Sequence, residues 1–397
     1  MEIVPYKKPL FLLSFVFQKI NSLILYPIME FLDLKTQQKR IRKPLENRIN
    51  KILDHGAYIM GPEVFELEEK LADYCGVKHA ISCSSGTDAL LIPLMAWGIG
   101  PGDAVFTTPF TYVATAEVIS ILGATPIFVD VYESTYNIDC EELEIAIKKV
   151  INEGELQPKA IIPVDLFGLP ARYRLINKIA KKYNLKVIED AAQSFGGSIR
   201  DEKVGTFGDV AATSFYPAKP LGCYGDGGAI FTNNDNLAEE CKAIRIHGTK
   251  HDKYNSEMIG LNGRLDSIQA AVLLEKLTIF DEEIILRNAI DRNYRKFLNN
   301  AQYHPKEYKS SNALFSLTLG SESKRDNLIF RLSEKKIPTV IYYKYPIHLM
   351  NAFNYLGYKQ NDLPISELLS KTIVSLPMHP YLADEDLFKI KKCIIQK

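Results

Sequence analysis

The sequence predicts an α/β fold: a large domain on a mostly parallel seven-stranded sheet flanked by helices, and a smaller C-terminal α+β domain. Three observations carry this. Between about residues 60 and 280, short β-rich runs alternate with helical stretches. Most of those runs are unbroken apolar blocks, the pattern of strands covered on both faces rather than half exposed. A long helical pattern then opens near Asp266, and beyond about residue 301 the periodicity weakens.

The elements follow in order. Residues 1–28, MEIVPYKKPLFLLSFVFQKINSLILYPI, do not match the rest. Lys7 and Lys8 precede the apolar run Leu10–Phe17, but no small-x-small cleavage site follows. A membrane span needs roughly 20 apolar residues, and Gln18, Lys19, Asn21 and Ser22 interrupt this run. The extension reads as a misassigned start or a disordered tail, with Met29 as the working start; a short membrane-surface anchor is the second reading. Strands are expected at HAISC (79–83), DAVFTT (103–108), TPIFVDV (125–131), KAIIPVD (159–165), KVIED (186–190), VAATSF (210–215) and GAIFTN (228–233). Helices are expected at 88–99, 114–122, 142–150 and 174–184, giving the alternation of an α/β domain. The long helix from Asp266 bridges to the last region, so the domains are set at 29–280 and 281–397.

Composition narrows the function classes. Forty-eight Lys and Arg balance forty-eight Asp and Glu, so nothing draws the whole chain toward nucleic acid or an anionic membrane. With 46% hydrophobic and 24% charged residues the chain is neither disordered nor collagen-like. Six cysteines, at 75, 83, 140, 223, 241 and 393, form no CxxC and no metal-ligand spacing. They read as free thiols in a reducing cytoplasm, and no metal site is expected.

Three constellations follow strand-like runs, where ligands of α/β sheets sit. In SCSSGTDAL (82–90), Ser-Ser-Gly-Thr opens a helix after Cys83. Free N–H groups and the helix dipole make such a start a phosphate seat, although Ser and Thr also cap ordinary helices. In KVIEDAAQSFG (186–196), a buried strand delivers Glu189 and Asp190, with Gln193 after them. A carboxylate there can hold a protonated ring nitrogen, or it can cap the next segment. In TSFYPAKPLGCYGDGGAI (213–230), Lys219 sits in a loop rich in Pro and Gly. A lysine in a tight, partly apolar loop can act as an amine nucleophile toward carbonyls; alone, it can equally be a solvated loop residue. Together the three supply a phosphate seat, an acid for a ring nitrogen and an amine for an aldehyde, the set that pyridoxal 5'-phosphate requires.

The sequence resembles the nucleotide-sugar aminotransferases of the DegT/StrS-like group, which are fold type I pyridoxal-phosphate enzymes. The motifs are GPEVFELEEKLADYCGV, SSGTDALL, GPGDAVFTTPFTYVATAE, VIEDAAQSFG, TSFYPAKPLGCYGDGGAIFTN, GLNGRLDSIQAA and SLPMHPYL, in that order from Met29 onward. Within the group, TSFYPAKPLGCYGDGGAIFTN and GLNGRLDSIQAA look most like aminotransferases acting on UDP-2-acetamido-2-deoxy-3-oxo-glucuronate. The resemblance implies that Lys219 binds the aldehyde and moves the proton, with Asp190 at the ring nitrogen and Gln193 near the ring hydroxyl. It implies that Tyr112 stacks on the ring and that Gly86, Thr87 and Ser214 contact the phosphate. It also implies that Asn262 reaches the phosphate in the neighbouring subunit of a homodimer, and that Arg264 lies near the sugar, where a guanidinium can grip a carboxylate. Glutamate as amino donor, an oxo nucleotide sugar as acceptor, and surface polysaccharide (O-antigen) synthesis are implied in the same way.

One departure stands out. The sugar-acid subgroup carries a His-Tyr-Pro run, whereas this chain reads PTVIYYKYPIHL (338–349). Tyr343 fits the tyrosine; Tyr342 replaces the histidine and Lys344 the proline, and Lys344 is expected to be exposed. Tyr342 and Tyr343 are the expected sugar contacts in this run. His379 is expected to be structural, and His247 receives no role. Two rivals remain in view: an aminotransferase for another sugar, such as a dTDP-3-oxo-6-deoxyhexose, and a pyridoxamine-dependent sugar dehydratase, in which histidine replaces the lysine. A non-catalytic regulator on the same fold is the third.

Overall fold

The computed structural model describes residues 29–252 and 254–395, so the reading of residues 1–28 lies outside the described residues. In chain order the strands are β1 (His79–Cys83), β2 (Asp103–Thr107), β3 (Thr125–Phe128), β4 (Gln157–Ile162), β5 (Lys186–Asp190), β6 (Ser198–Ile199), β7 (Glu202–Lys203), β8 (Val210–Ser214), β9 (Gly228–Thr232), β10 (Tyr308–Lys309), β11 (Phe315–Thr318) and β12 (Ile373–Leu376). The central sheet has seven strands in the order β1-β9-β8-β5-β4-β2-β3. The pairs β8/β5, β5/β4, β4/β2 and β2/β3 are parallel, and only β9 runs against its neighbours. Each of the seven apolar runs therefore forms a strand of one mostly parallel sheet. Three end one residue early, and two end three residues early. β4 stops at Ile162 because Pro163 has no N–H for the ladder. β3 stops at Phe128 because the chain bends into a turn closed by the bridge Val131–Ile138.

Successive strand residues point to opposite faces, and both faces are covered. Ile81, Ile188 and Ile230 meet the helix Gly86–Ala96 through Leu90 and Leu94. Their neighbours Ala80 and Phe231 face a second cluster built from Ile41, Leu45, Leu67 and Leu71 of the helices Leu34–His55 and Pro62–Cys75. Gly61 and Pro62 start the latter helix with Pro at its first turn, the position at which a missing N–H costs nothing. The helix Cys140–Glu153 begins at Asp139, whose carboxylate accepts from Glu141 N at 2.8 Å, and ends at Gly154 with φ 71°.

The helix Ser267–Arg295 starts where expected and runs 29 residues. Its first half, through Ala270, Ala271 and Leu274, belongs to the large core; its last turns, through Ile290 and Tyr294, belong to another. Residues 280 and 281 both lie inside this helix. The second core gathers Phe315, Leu317, Val374 and Leu376 of the antiparallel pair β11/β12, with Leu328 and Leu332 of the helix Glu322–Glu334, Ile390 of the helix Asp384–Ile395, and Met29. Among the described residues no helix is long and apolar enough to cross a membrane.

Two predictions follow from this packing. Gly228 pairs with Cys83 on one side and Ser214 on the other, and an added Cβ would stand 2.3 Å from Ser85 O and 2.8 Å from Thr213 O. Gly228→Ala should therefore lose about 1–3 kcal/mol, seen as a lower urea midpoint; an unchanged midpoint contradicts the packing. Burial holds the imidazoles of His304 and His379 down to about 4, below the ordinary histidine value of about 6.5. Their native forms are neutral, while the unfolded chain takes up protons below its ordinary value, so stability should fall as pH drops toward 4. A Tm that does not decline across that window argues against it.

Candidate active site

Because β1, β5 and β8 run in one direction, their C-terminal ends reach one edge of the sheet. The register fixes this: Cys83 and Ser214 both pair with Gly228. Asp190 ends β5 and Ser214 ends β8. Three motifs more than a hundred residues apart in their extremes thus border one cavity of about 430 Å³. Gly86, Thr87, Tyr112, Asp190, Gln193, Ser214, Lys219, Tyr342 and Tyr343 all line it.

One end of the cavity is the start of the helix Gly86–Ala96. Ser85 caps it, its hydroxyl accepting from Asp88 N at 3.0 Å. The amides of Gly86 and Thr87 are the first of the helix and have no intrahelical acceptor. Gly86 is required here: a Cβ would lie 2.5 Å from Ser214 Cβ. Two free amides, a hydroxyl on Thr87 and another on Ser214 make a donor set for an anion at the positive end of a helix.

Asp190 also lines the cavity and is buried, its carboxylate accepting from Thr115 Oγ1 at 2.8 Å and Ala192 N at 3.2 Å. Burial pushes its proton affinity up, while these two donors and the nearby Lys219 charge oppose that shift. The adjacent acid is not part of the site. Strand alternation turns Glu189 to the other face, where it accepts from Gly205 N and Phe207 N, each at 2.9 Å. Gln193 spends both ends of its amide: Oε1 accepts from Phe167 N at 2.8 Å, and Nε2 donates to Tyr343 OH at 3.0 Å. That bond fixes the Tyr343 phenol, whose pKa burial raises.

Lys219 follows β8 in a loop that folds back on itself. Its N–H donates to Tyr216 O at 2.8 Å, and Phe215 N donates to Gly227 O at 2.7 Å. Lys219 is half-buried and lines the cavity. Burial lowers its pKa, and the Asp190 carboxylate partly restores it. A lysine shifted this way offers more of its neutral, nucleophilic form at moderate pH.

Some expected residues lie elsewhere. Asn262 is exposed and Arg264 half-buried, neither lining the cavity of its own chain; Arg264 Nη2 donates to Asn262 Oδ1 at 2.5 Å. Tyr112 lines the cavity with its side chain 58% exposed, so one face remains open. Lys344 is exposed, with Nζ 5.4 Å from the Tyr345 ring centre. His379 is buried away from the cavity, and His247 is exposed. Sequence reasoning missed Phe31, Leu32 and Thr115. The first two line the cavity from a segment just ahead of the helix Leu34–His55, with no motif to mark them. Thr115 lies in a run that reads simply as amphipathic helix.

The residues present fit pyridoxal phosphate. The anion cradle, the buried carboxylate and the recessed amine stand around one cavity, and the cradle is tight enough that a Cβ at position 86 would fill it. Fold and site together define a pyridoxal-phosphate enzyme of fold type I. Comparison with known proteins makes this specific: the DegT/DnrJ/EryC1/StrS aminotransferase family matches residues 39–395, and the chain belongs to that family. It is 45% identical, over 89% of this chain and 96% of the relative, to a UDP-2-acetamido-2-deoxy-3-oxo-D-glucuronate aminotransferase of Pseudomonas aeruginosa. It is 41% identical, over 89% and 94%, to a pleiotropic regulatory protein of Geobacillus stearothermophilus. Its fold matches the crystal structure of a DegT DnrJ EryC1 StrS aminotransferase from Brucella abortus with a TM-score of 0.89, 49% identity, and coverage of 92% of this chain and 98% of that one.

The opposed charges give a pH prediction. Asp190→Asn removes the anion that raises the Lys219 pKa, so Lys219 should titrate lower still. Amine labelling of cofactor-free protein against pH, read at the Lys219 peptide by mass spectrometry, should show the midpoint moving down. A midpoint that rises defeats the assignment of charges.

Proposed function

We propose that this aminotransferase moves an amino group from glutamate to the ketone of a 3-oxo nucleotide sugar, with UDP-2-acetamido-2-deoxy-3-oxo-glucuronate as the first candidate. What supports this is the shared cavity of Lys219, Asp190 and the helix start at Gly86, together with the 45% identity to an aminotransferase named for that sugar. Pyridoxal phosphate supplies an aldehyde that accepts the amino group and a ring that draws off electron density as a C–H proton leaves. Lys219 is the catalytic residue: its amine would hold the aldehyde until the incoming amine displaces it, and the freed amine would then take and return the proton in each half-reaction. Asp190 keeps a proton on the ring nitrogen. Gly86, Thr87 and Ser214 would hold the phosphate, Gln193 would orient the ring hydroxyl through its second Nε2 hydrogen, and Tyr112 would supply an aromatic face for the ring.

On the sugar side, Tyr342 and Tyr343 contact the acceptor. Asn262 and Arg264 act across a homodimer interface, Asn262 on the partner's phosphate seat and Arg264 on the sugar carboxylate. That arrangement accounts for two residues that line no cavity of their own chain and are joined to each other. Tyr342 in place of histidine leaves a dTDP-3-oxo-6-deoxyhexose as the second candidate acceptor. The dehydratase reading is disfavoured because position 219 is lysine. All six cysteines are free, which suits work in the cytoplasm, in synthesis of a surface polysaccharide such as O-antigen.

Lys219→Ala should abolish the visible absorbance of cofactor-loaded protein and all turnover. Asp190→Asn should keep the fold and lower kcat on the order of 100-fold or more, as loss of a preorganised charge that stabilises the reacting ring does. Mass spectrometry of products from a panel of oxo nucleotide sugars with glutamate checks the acceptor. Full activity in Lys219→Ala, or no amination of any sugar in the panel, overturns the proposal.

A further inference from the structure

The helix Ser267–Arg295 carries a lysine in an unusual place. Lys276 is 1% exposed, and its Nζ donates to Gly222 O at 2.6 Å while lying 4.4 Å from the centre of the Tyr224 ring. Gly222 belongs to the loop that carries Lys219, at a point where a Cβ would stand 2.6 Å from Tyr216 O and 2.7 Å from Pro217 O. The loop has no slack there. Two turns earlier on the same helix face, Gln269 Oε1 accepts from Tyr224 N at 2.9 Å. The helix therefore holds the loop backbone at two points, beyond the loop's own bonds from Cys223 to Phe215 O.

A buried ammonium is costly, and an apolar side chain of similar length would avoid that cost. Burial lowers the Lys276 amine to about 8, against the pull of Glu283. Such a group is worth its expense where its hydrogen bond fixes something else. We propose that Lys276 is a positioning residue: its Nζ, fastened to the Gly222 carbonyl, sets where the Lys219 amine stands in the cavity. This rests on the role given to Lys219 above.

The test uses full-length Lys276→Met and Lys276→Arg. Met keeps length and burial but loses the donor; Arg keeps a donor. Lys276→Met should unfold in urea at or above the wild-type midpoint. In cofactor-free protein, its Lys219 labelling midpoint should rise toward that of an ordinary lysine, because a loosened loop lets the amine meet water. Its kcat should fall on the order of 10- to 100-fold, the range expected when a reacting group is displaced by about 1 Å, with KM for glutamate nearly unchanged. Lys276→Arg should recover most of both. A wild-type labelling midpoint and kcat in Lys276→Met overturn the proposal, as does an Arg variant no better than Met. Should Lys276→Met fail to fold, Gln269→Leu cuts the other tether without removing a charge and is read in the same way. Lys219→Ala is the separate control: visible absorbance surviving in it would defeat the role of Lys219 whatever the Lys276 variants do.

Discussion

A half-buried lysine and a buried carboxylate line one cavity, close enough for each to feel the other's charge. Each is pushed by burial toward its neutral form, and each is held back from it by the other. In a low-dielectric setting that opposition is strong, and it requires the backbone to keep two otherwise unfavourable groups in place. Much of the surrounding structure answers that requirement. Thr115 and Ala192 hold the Asp190 carboxylate, Gln193 bridges Phe167 and Tyr343, and the loop after β8 folds tightly on itself.

The sheet supplies the frame. Only β9 is reversed, and its first residue, Gly228, lies between the ends of β1 and β8. The anion cradle and the lysine loop therefore leave β1 and β8, the two strands that flank β9, at the same level. Glycine at 86 and 228 lets them approach to distances that no side chain permits. The same closeness makes the cradle specific, because space for an anion is bounded by backbone and by Ser214 rather than by mobile side chains.

The helix Ser267–Arg295 links this frame to the C-terminal region. Its early turns lie in the large core, its last turns pack on β11 and β12, and along the way it grips the lysine loop. The wall of Tyr342 and Tyr343 reaches the cavity from the C-terminal side, tied in by Gln193. The site thus draws on both regions, and its C-terminal wall carries two aromatic side chains.

The central sheet was legible in the sequence because buried parallel strands are written as unbroken apolar runs, and β1 and β5 have the bounds those runs suggest. Lys219, Asp190, Gln193 and Gly86 were legible because each ends or follows such a run, whereas Ser214 was marked only by the family resemblance. The run alone did not separate Glu189 from Asp190; the resemblance chose Asp190, and strand alternation turns Glu189 away from the cavity. Phe31, Leu32, Thr115 and Lys276 carried no signal either. Their parts depend on which distant element lies against them, and residue spacing along a chain does not encode packing between helices and loops. The local alphabet of strands, caps and turns is fixed by neighbours in sequence; the meeting of a helix lysine with a carbonyl fifty-four residues away is decided only when the chain closes on itself.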